Sequence, residues 1–377
     1  NRKVTVDRKC GHTVSAGDAY YYENVKEALD KPGEWDIDRS IGKLYYMPYE
    51  NETIDSAEVR IGAVEKLMDI SDCSGLSFRG ITFTDTNWTD NGSAGGQANN
   101  NEKPCIEIRN SDRVSFTGCT FENIGESCLR FGDGSAFCTV SGCEFKNIGA
   151  HAVYISGPNS ENGKTHDITV TDNHIYNYGL IRPMSVAVFQ TFASNSTISH
   201  NEIHHGAYSA VSLGWTWGYG STVNNHNTVS DNLIYDIGHA ALSDLGGIYL
   251  LGVADGTTVS GNVVFDVAAG PDASTYGGWG IYLDEGSKGV TVENNLVCDC
   301  DSQGFHQHYG QENMVKNNIF AMNHDAQVRS SRSTTAEELG GISPAPELYL
   351  TGNILVGDGQ LMYQWAAKNR FADNKNL

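Results

Sequence analysis

One phrase recurs along most of this 377-residue chain: a small polar pair, then Asn or a small residue, a spacer, and an apolar residue. It reads VSGCEF, VTDNHI, ISHNEI, VSDNLI, VSGNVV, VENNLV, VKNNIF and LTGNIL in successive copies. Stacking them gives a column of Asn173, Asn201, Asn232, Asn262, Asn295, Asn318 and Asn353, with Cys119 and Cys143 at the same place earlier and Ile81 in the first copy. Two positions on runs an apolar column: Phe83, Phe121, Phe145, Ile175, Ile203, Ile234, Val264, Val297, Phe320 and Leu355. Copies lie 23 to 38 residues apart, too uneven for a leucine-rich or helical repeat but natural where strands stack in register and loops vary. The expectation is an all-β protein, a parallel β-helix of about ten coils. Asn also marks ordinary turns, but amides about 4.8 Å apart in successive coils can hydrogen-bond along a column, and seven in one column favour that ladder.

Composition agrees. The chain has 42 Gly and only 8 Pro, and it is rich in Asn, Ser, Thr, Val and Ile, as expected of many short strands joined by turns. Its formal charge of -21 argues against nucleic acid or an anionic membrane as partner, because such a surface repels phosphates. No apolar run is long enough to span a bilayer, so no membrane insertion is expected. The first residues lack signal-peptide order, and the chain reads as a trimmed piece of a longer protein. Nine cysteines without CxxC spacing read as buried small hydrophobes, not a zinc or redox site.

A second strand in each coil aligns as small, apolar, outward, apolar, outward. Its copies include Ala210 to Gly214, Gly247 to Leu251, Gly280 to Asp284 and Gly304 to His308. Strand alternation sends the third and fifth members away from the core. Tyr249, Tyr282 and His306 therefore form one outward column, and Leu251, Asp284 and His308 the next. Trp215 and Trp217 follow directly after Gly214, and long loops precede and follow this patch. Aromatic rings can stack on sugar faces while carboxylates and imidazoles take hydroxyls, so a walled carbohydrate groove is expected. An exposed Asp at a strand end is ordinarily a solvated turn residue; its His and Trp neighbours single out Asp284. Glu285 is adjacent but alternates to the other side unless the strand ends there. His306 and His308 could share a metal, but no third ligand is evident, so neither metal nor cofactor is expected.

Residues 1–70 do not join the repeat. They hold an amphipathic helix candidate, NVKEALDKPG, and two alternating runs around Ser40 to Gly42 that predict a hairpin. They are expected to be a cap or partial β module, with the β-helix over 71–377. The polar stretch from Asn87 to Pro104 is expected to be a mobile loop.

GHAALSDLGGIYLLG, GWGIYLDEGSKGVTVENNLV and GFHQHYGQENMVKNNIFA resemble the right-handed parallel β-helix proteins of glycoside hydrolase family 141, and GEWDIDRSIGKLYYMP is similar to the region preceding the helix in such proteins. The resemblance implies activity on plant cell-wall glycans, of α-L-fucosidase or xylanase type, outside the cell, secreted or displayed on a bacterial surface. It also implies two catalytic carboxylates, Asp244 in SDLGG and Asp284 in YLDEG. A straight segment would hold Asp244 roughly 23 Å from the Asp284 column; a bend at Leu245-Gly246, which Gly246-Gly247 permits, would bring it near. Trp215, Trp217, Tyr249, Tyr282, Glu285, His306 and His308 would then bind an oligo- or polysaccharide. The alternatives are a polysaccharide lyase or epimerase, which needs a base and a cation facing a uronate, and a non-catalytic glycan-binding β-helix.

Overall fold

Three stacked sheets of 11, 11 and 10 strands account for nearly all regular structure in the computed structural model. It describes residues 23–53, 55–89, 97–101, 103–239, 242–270, 276–365, 371–374 and 376–377. Each coil gives one short strand to each sheet. Thus Pro104–Arg109 lies in the first sheet, Ser115–Thr117 in the second and Thr120–Ile124 in the third, before Ser127–Phe131 re-enters the first one coil on. Neighbours within each of these sheets pair in parallel, as in Val140 with Val170 and Ile175 with Ile203. The fold is a right-handed parallel β-helix.

The repeated phrase forms the corner between the second and third sheets. Its polar pair ends in a residue with left-handed backbone, including Asp172 (φ 57°), His200 (φ 54°), Asp231 (φ 57°) and Asn294 (φ 57°), where short polar side chains and Gly carry the smallest penalty. Asn follows, turned inward and buried. Each Asn Nδ2 donates to the Oδ1 of the next at 2.9 Å from Asn173 through Asn318, and Asn353 extends the ladder to Asn376 at 2.8 Å. The same Oδ1 accepts the backbone N–H of the preceding rung, as Asn262 Oδ1 does from Asn232 at 3.0 Å. A corner that would leave backbone groups unpaired in the core is thereby satisfied.

The apolar column pairs in the expected register from Phe83 with Phe121 to Phe320 with Leu355. Early coils fill the core with stacked rings, Phe83 on Phe121 at 5.0 Å and Phe121 on Phe145 at 4.6 Å; later coils use Ile and Val. Among the described residues the cysteines are free. Most are buried, and burial pushes the Cys105 thiol up to about 12, as suits a small hydrophobe.

The described residues up to Arg60 and those from Ile61 to Leu377 form two compact units. The first coil strand, Met68–Ser71, lies in the second unit. In the first, Trp35–Asp38 and Lys43–Tyr46 form the predicted antiparallel hairpin. The predicted helix before it is only the 3-10 turn Lys26–Ala28, without a side-chain cap. Glu34 instead accepts the Asp30 and Lys31 N–H groups at 2.7 and 2.9 Å, and Pro32 and Gly33 close off any continuation.

Candidate active site

The outward columns of the first sheet stack as the strand pattern predicts. Tyr249 pairs with Tyr282 and Tyr282 with His306, while the Asp284 N–H reaches Leu250 O at 2.8 Å and the His308 N–H reaches Leu283 O at 2.8 Å. Outward does not mean exposed. Tyr249, Leu251, Trp279 and Tyr282 form a second buried cluster outside the coil core, with Trp215 packed against it, and Asp284 is only 5% exposed.

Asp284 is enclosed by two donors. Tyr249 OH donates to Oδ2 at 2.5 Å and His308 Nδ1 contacts Oδ1 at 3.0 Å. Burial pushes its carboxyl up, but hydrogen bonds from His308, Tyr249, Tyr282 and the Glu285 N–H together outweigh that and hold it below its ordinary value. The turn after it is tight: Gly286 has φ 75°, and a Cβ there would lie 2.4 Å from the Gly218 backbone, so only Gly lets the Trp-bearing loop close on this wall.

Asp244 reaches the same place by a bend one step earlier than expected. Gly246–Leu250 is regular strand, and Asp244 itself turns the chain with φ 58°. Its N–H donates to Tyr276 O at 2.9 Å, and its carbonyl accepts Tyr208 OH at 2.7 Å. Gly246 serves a different purpose: a Cβ there would meet Tyr282 Cβ at 2.9 Å, so the missing side chain seats the Tyr282 ring. Tyr282 OH donates to Asp244 Oδ1 at 3.2 Å, and its hydroxyl dipole also helps to hold the Asp284 carboxyl down. The two acids are neighbours, near enough for the charge of each to act on the other's surroundings. Burial foremost, and then the Asp284 charge, raise Asp244 to about 6 against a weaker opposing bond from Tyr282. Two neighbouring carboxyls are thus driven apart, one toward the acid form and one toward the anion. Burial and the two acids also push the Tyr249 and Tyr282 phenols well up, so both stay protonated donors.

The remaining sequence candidates divide. His308 and Glu285 are half-buried, with Glu285 accepting Tyr309 OH at 3.3 Å. Trp217 is 48% exposed and stands edge-on to Trp215 at 5.0 Å. His306 is wholly buried: Nδ1 lies 2.8 Å from Gln303 Oε1, Nε2 lies 2.9 Å from Ser331 Oγ, and the ring stacks on Trp279 at 4.1 Å. Burial, then Arg329 and His308, push His306 well below its ordinary value. It is a neutral prop with both nitrogens occupied.

Sequence reading missed several participants. Gln97, from the loop expected to be mobile, donates to Tyr249 OH at 3.1 Å. Neighbouring Ala98 is 3% exposed, so this part of the loop is docked; residues 90–96 lie outside the described residues. Tyr208 and Tyr276 precede strands at places where no repeat column signals them. Arg329 was legible, since AQVRS is the next copy of the strand and pairs Arg329 with His306. A separate depression of about 390 Å³, lined by Glu65, Lys66, Lys103, Glu107, Glu126 and Arg130, is walled by ion pairs such as Lys66 with Glu107 at 2.8 Å. Two desolvated, interacting acids are the stronger mark of chemistry.

A family model described as a right-handed beta helix region matches residues 104–278. No curated protein sequence matches the chain. Among solved structures, a chain described as a glycoside hydrolase superposes with a TM-score of 0.67 at 20% identity, covering 88% of this chain and 57% of that one. A double mutant of the periplasmic alginate epimerase AlgG gives 0.54 at 12% identity, over 82% of this chain and 70% of that one. The complex of XylC with xylose gives 0.49 at 13% identity, over 79% and 52%. At these identities the first two likenesses show the fold alone, and the chain spans little more than half of the first and last of these proteins.

Proposed function

We propose that this chain is a glycoside hydrolase in which Asp244 is the proton donor and Asp284 the ionised nucleophile or base. The observation that carries this is the opposed proton affinity of two neighbouring carboxyls, Asp244 bonded by Tyr282 and Asp284 by Tyr249 and His308. Asp244 gives its proton to the leaving glycosidic oxygen as the C–O bond breaks, and Asp284 attacks the sugar carbon or takes a proton from the attacking water. Tyr249 and Tyr282 hold the acids in place, with His306 packed edge-on against the Tyr282 ring at 5.2 Å, while Trp217 offers a ring face to a sugar and His308 and Glu285 offer hydrogen bonds to hydroxyls. The resemblance to glycoside hydrolase family 141 supports a plant cell-wall substrate of fucosylated or xylan type, met outside the cell.

One observation favours a second reading. Arg329 continues the Tyr249–Tyr282–His306 column and supplies the cation that a lyase or epimerase acting on a uronate requires. Incubation with fucosylated oligosaccharides, xylan and polyuronates separates the readings. Hydrolysis predicts new reducing ends without ultraviolet absorption. Unsaturated absorbing products would establish the lyase, and binding without any product would leave a glycan-binding module.

A further inference from the structure

The third sheet carries imidazoles that the acid pair does not use. His174 and Glu202 are partners in consecutive coils, and His204 lies two residues beyond Glu202. Pleat alternation therefore turns all three outward, over the buried Ile175 and Ile203. His174 Nε2 and His204 Nε2 lie 2.8 Å apart, and one ligand atom from each of the three lies within 4.8 Å of the others.

The surroundings set which nitrogen of His204 is free. His205 Nε2 is 3.0 Å from Asp236 Oδ2. A carboxylate only accepts, so neutral His205 holds its proton on Nε2 and presents a lone pair at Nδ1. That lone pair faces His204 Nδ1 at 2.5 Å, so His204 holds its proton on Nδ1 and aims an Nε2 lone pair at His174. Asp236 is itself anchored by His239 at 2.9 Å. Glu202 is oriented too, one oxygen accepting Tyr235 OH at 2.8 Å. Metal ligands are held by this kind of outer carboxylate and hydroxyl bonding. The chain of bonds exists because His205 and Asp236 occupy the same left-handed corner in consecutive coils, both at φ 53°.

We propose that His174, Glu202 and His204 form a site for a divalent transition-metal ion, with Zn²⁺ the reference ligand, clamping two consecutive coils. Two imidazole nitrogens on a tetrahedral Zn²⁺ with bonds of about 2.05 Å stand about 3.3 Å apart, so the pair, now 2.8 Å apart, opens by about 0.5 Å to admit the ion. A donor set of two imidazoles and one carboxylate suits Zn²⁺, Co²⁺ or Ni²⁺ and not Ca²⁺ or Mg²⁺. The site is on a different sheet from the acid pair and stands independently of the proposed hydrolysis.

The test is calorimetric titration of the untagged, chelator-treated full chain with Zn²⁺, with Co²⁺ absorption as a second readout. The expected result is one equivalent bound at micromolar Kd or tighter, visible Co²⁺ bands that Zn²⁺ displaces, and a thermal midpoint that rises with Zn²⁺. His174→Ala and His204→Ala should each weaken binding at least ~100-fold, and His205→Ala, which removes the orienting partner, about 10-fold. Glu202→Gln keeps side-chain shape and should weaken binding at least ~10-fold if an alanine variant fails to fold. Absence of saturable binding by the parent chain would overturn the proposal and leave an N–H···N bond between two histidines. Unchanged affinity in His174→Ala and His204→Ala would overturn it as well, as would loss confined to His239→Ala, which would move the ion to the exposed group of Asp236, His239 and Asp266.

Discussion

Two columns run through the same coils with opposite logic. The ladder from Asn173 to Asn376 repeats one side chain, and each amide donates to an identical neighbour. The outward column of the first sheet changes from Ser212 to Tyr249, Tyr282, His306 and Arg329 over consecutive coils. A ladder needs sameness, because donor must meet acceptor at every step. A site for acid and base needs difference, because two equivalent acids in one place would compete for one proton. The molecule keeps repetition at an inner corner and releases it on the outer face, where Asp244 leaves the strand pattern and approaches Asp284 from the side.

That contrast is broken most severely at Asp284. Asp284→Asn keeps the shape and can still accept from Tyr249, but it cannot supply a negative charge. The expected loss in kcat on an oligosaccharide is at least ~10³-fold, read at a temperature where the variant is folded, since loss of the depressed carboxylate lowers its thermal midpoint at neutral pH. Retained turnover would remove Asp284 from the chemistry.

Asp244 comes next. Asp244→Asn should lower kcat about 10²-fold on natural substrates, and far less on an aryl glycoside whose leaving group needs no proton. The parent should lose activity as pH rises through about 6, where Asp244 gives up its proton, and the residual activity of the variant should not show that fall. Stability follows the same group with a definite sign. The folded state holds the Asp244 proton more tightly than the unfolded chain, whose carboxyl titrates near ~3.9, so between roughly pH 4 and 6 the folded state binds more protons and stability declines as pH rises. Asn removes that decline, so denaturation midpoints of the variant should exceed those of the parent above pH 6 and match them near pH 4. Asp284 has the opposite sign: its folded carboxyl is depressed, and the stability it lends is present above the unfolded value and lost as pH falls through the folded one.

Legibility in the sequence follows the same divide. Coil register could be read because each corner must solve one backbone problem, and from Asn173 onward Asn solves it the same way; the pairing of Phe145 with Ile175 and Tyr249 with Tyr282 followed directly. Asp284 was legible because it occupies a counted position in a strand. Asp244 lies in a corner, where one left-handed residue redirects the chain, and strand counting gives no coordinate beyond such a turn; only resemblance pointed to it. Gln97 and Tyr208 were hidden for the same reason. The burial of His306 was missed because alternation tells which way a side chain leaves the sheet and says nothing of the loops that fold over it. The His174 and Glu202 pairing was implicit in the register of the third sheet, but partnership across coils, not proximity in sequence, gives it meaning.

The smallest effect on catalysis, with a large one on stability, is expected at Asn262, which lies in the coil that carries Tyr249. Its Oδ1 accepts Asn232 N–H at 3.0 Å and Asn232 Nδ2 at 2.9 Å, and its Nδ2 donates to Asn295 Oδ1 at 2.9 Å and Val229 O at 3.0 Å. Asn262→Ala strands two donors of Asn232 in an interior that water does not reach, a cost of about 3 kcal/mol when each orphaned group costs about 1–3 kcal/mol. The lost stability should appear as a lower denaturant midpoint with an unchanged slope. Turnover should remain within about twofold of the parent at a temperature where both are folded, since mutations outside a shared network act independently. If Asn262→Ala instead lowered kcat while leaving the midpoint in place, the inner column would be shaping the acid pair, and the separation of scaffold from chemistry along this coil would be lost.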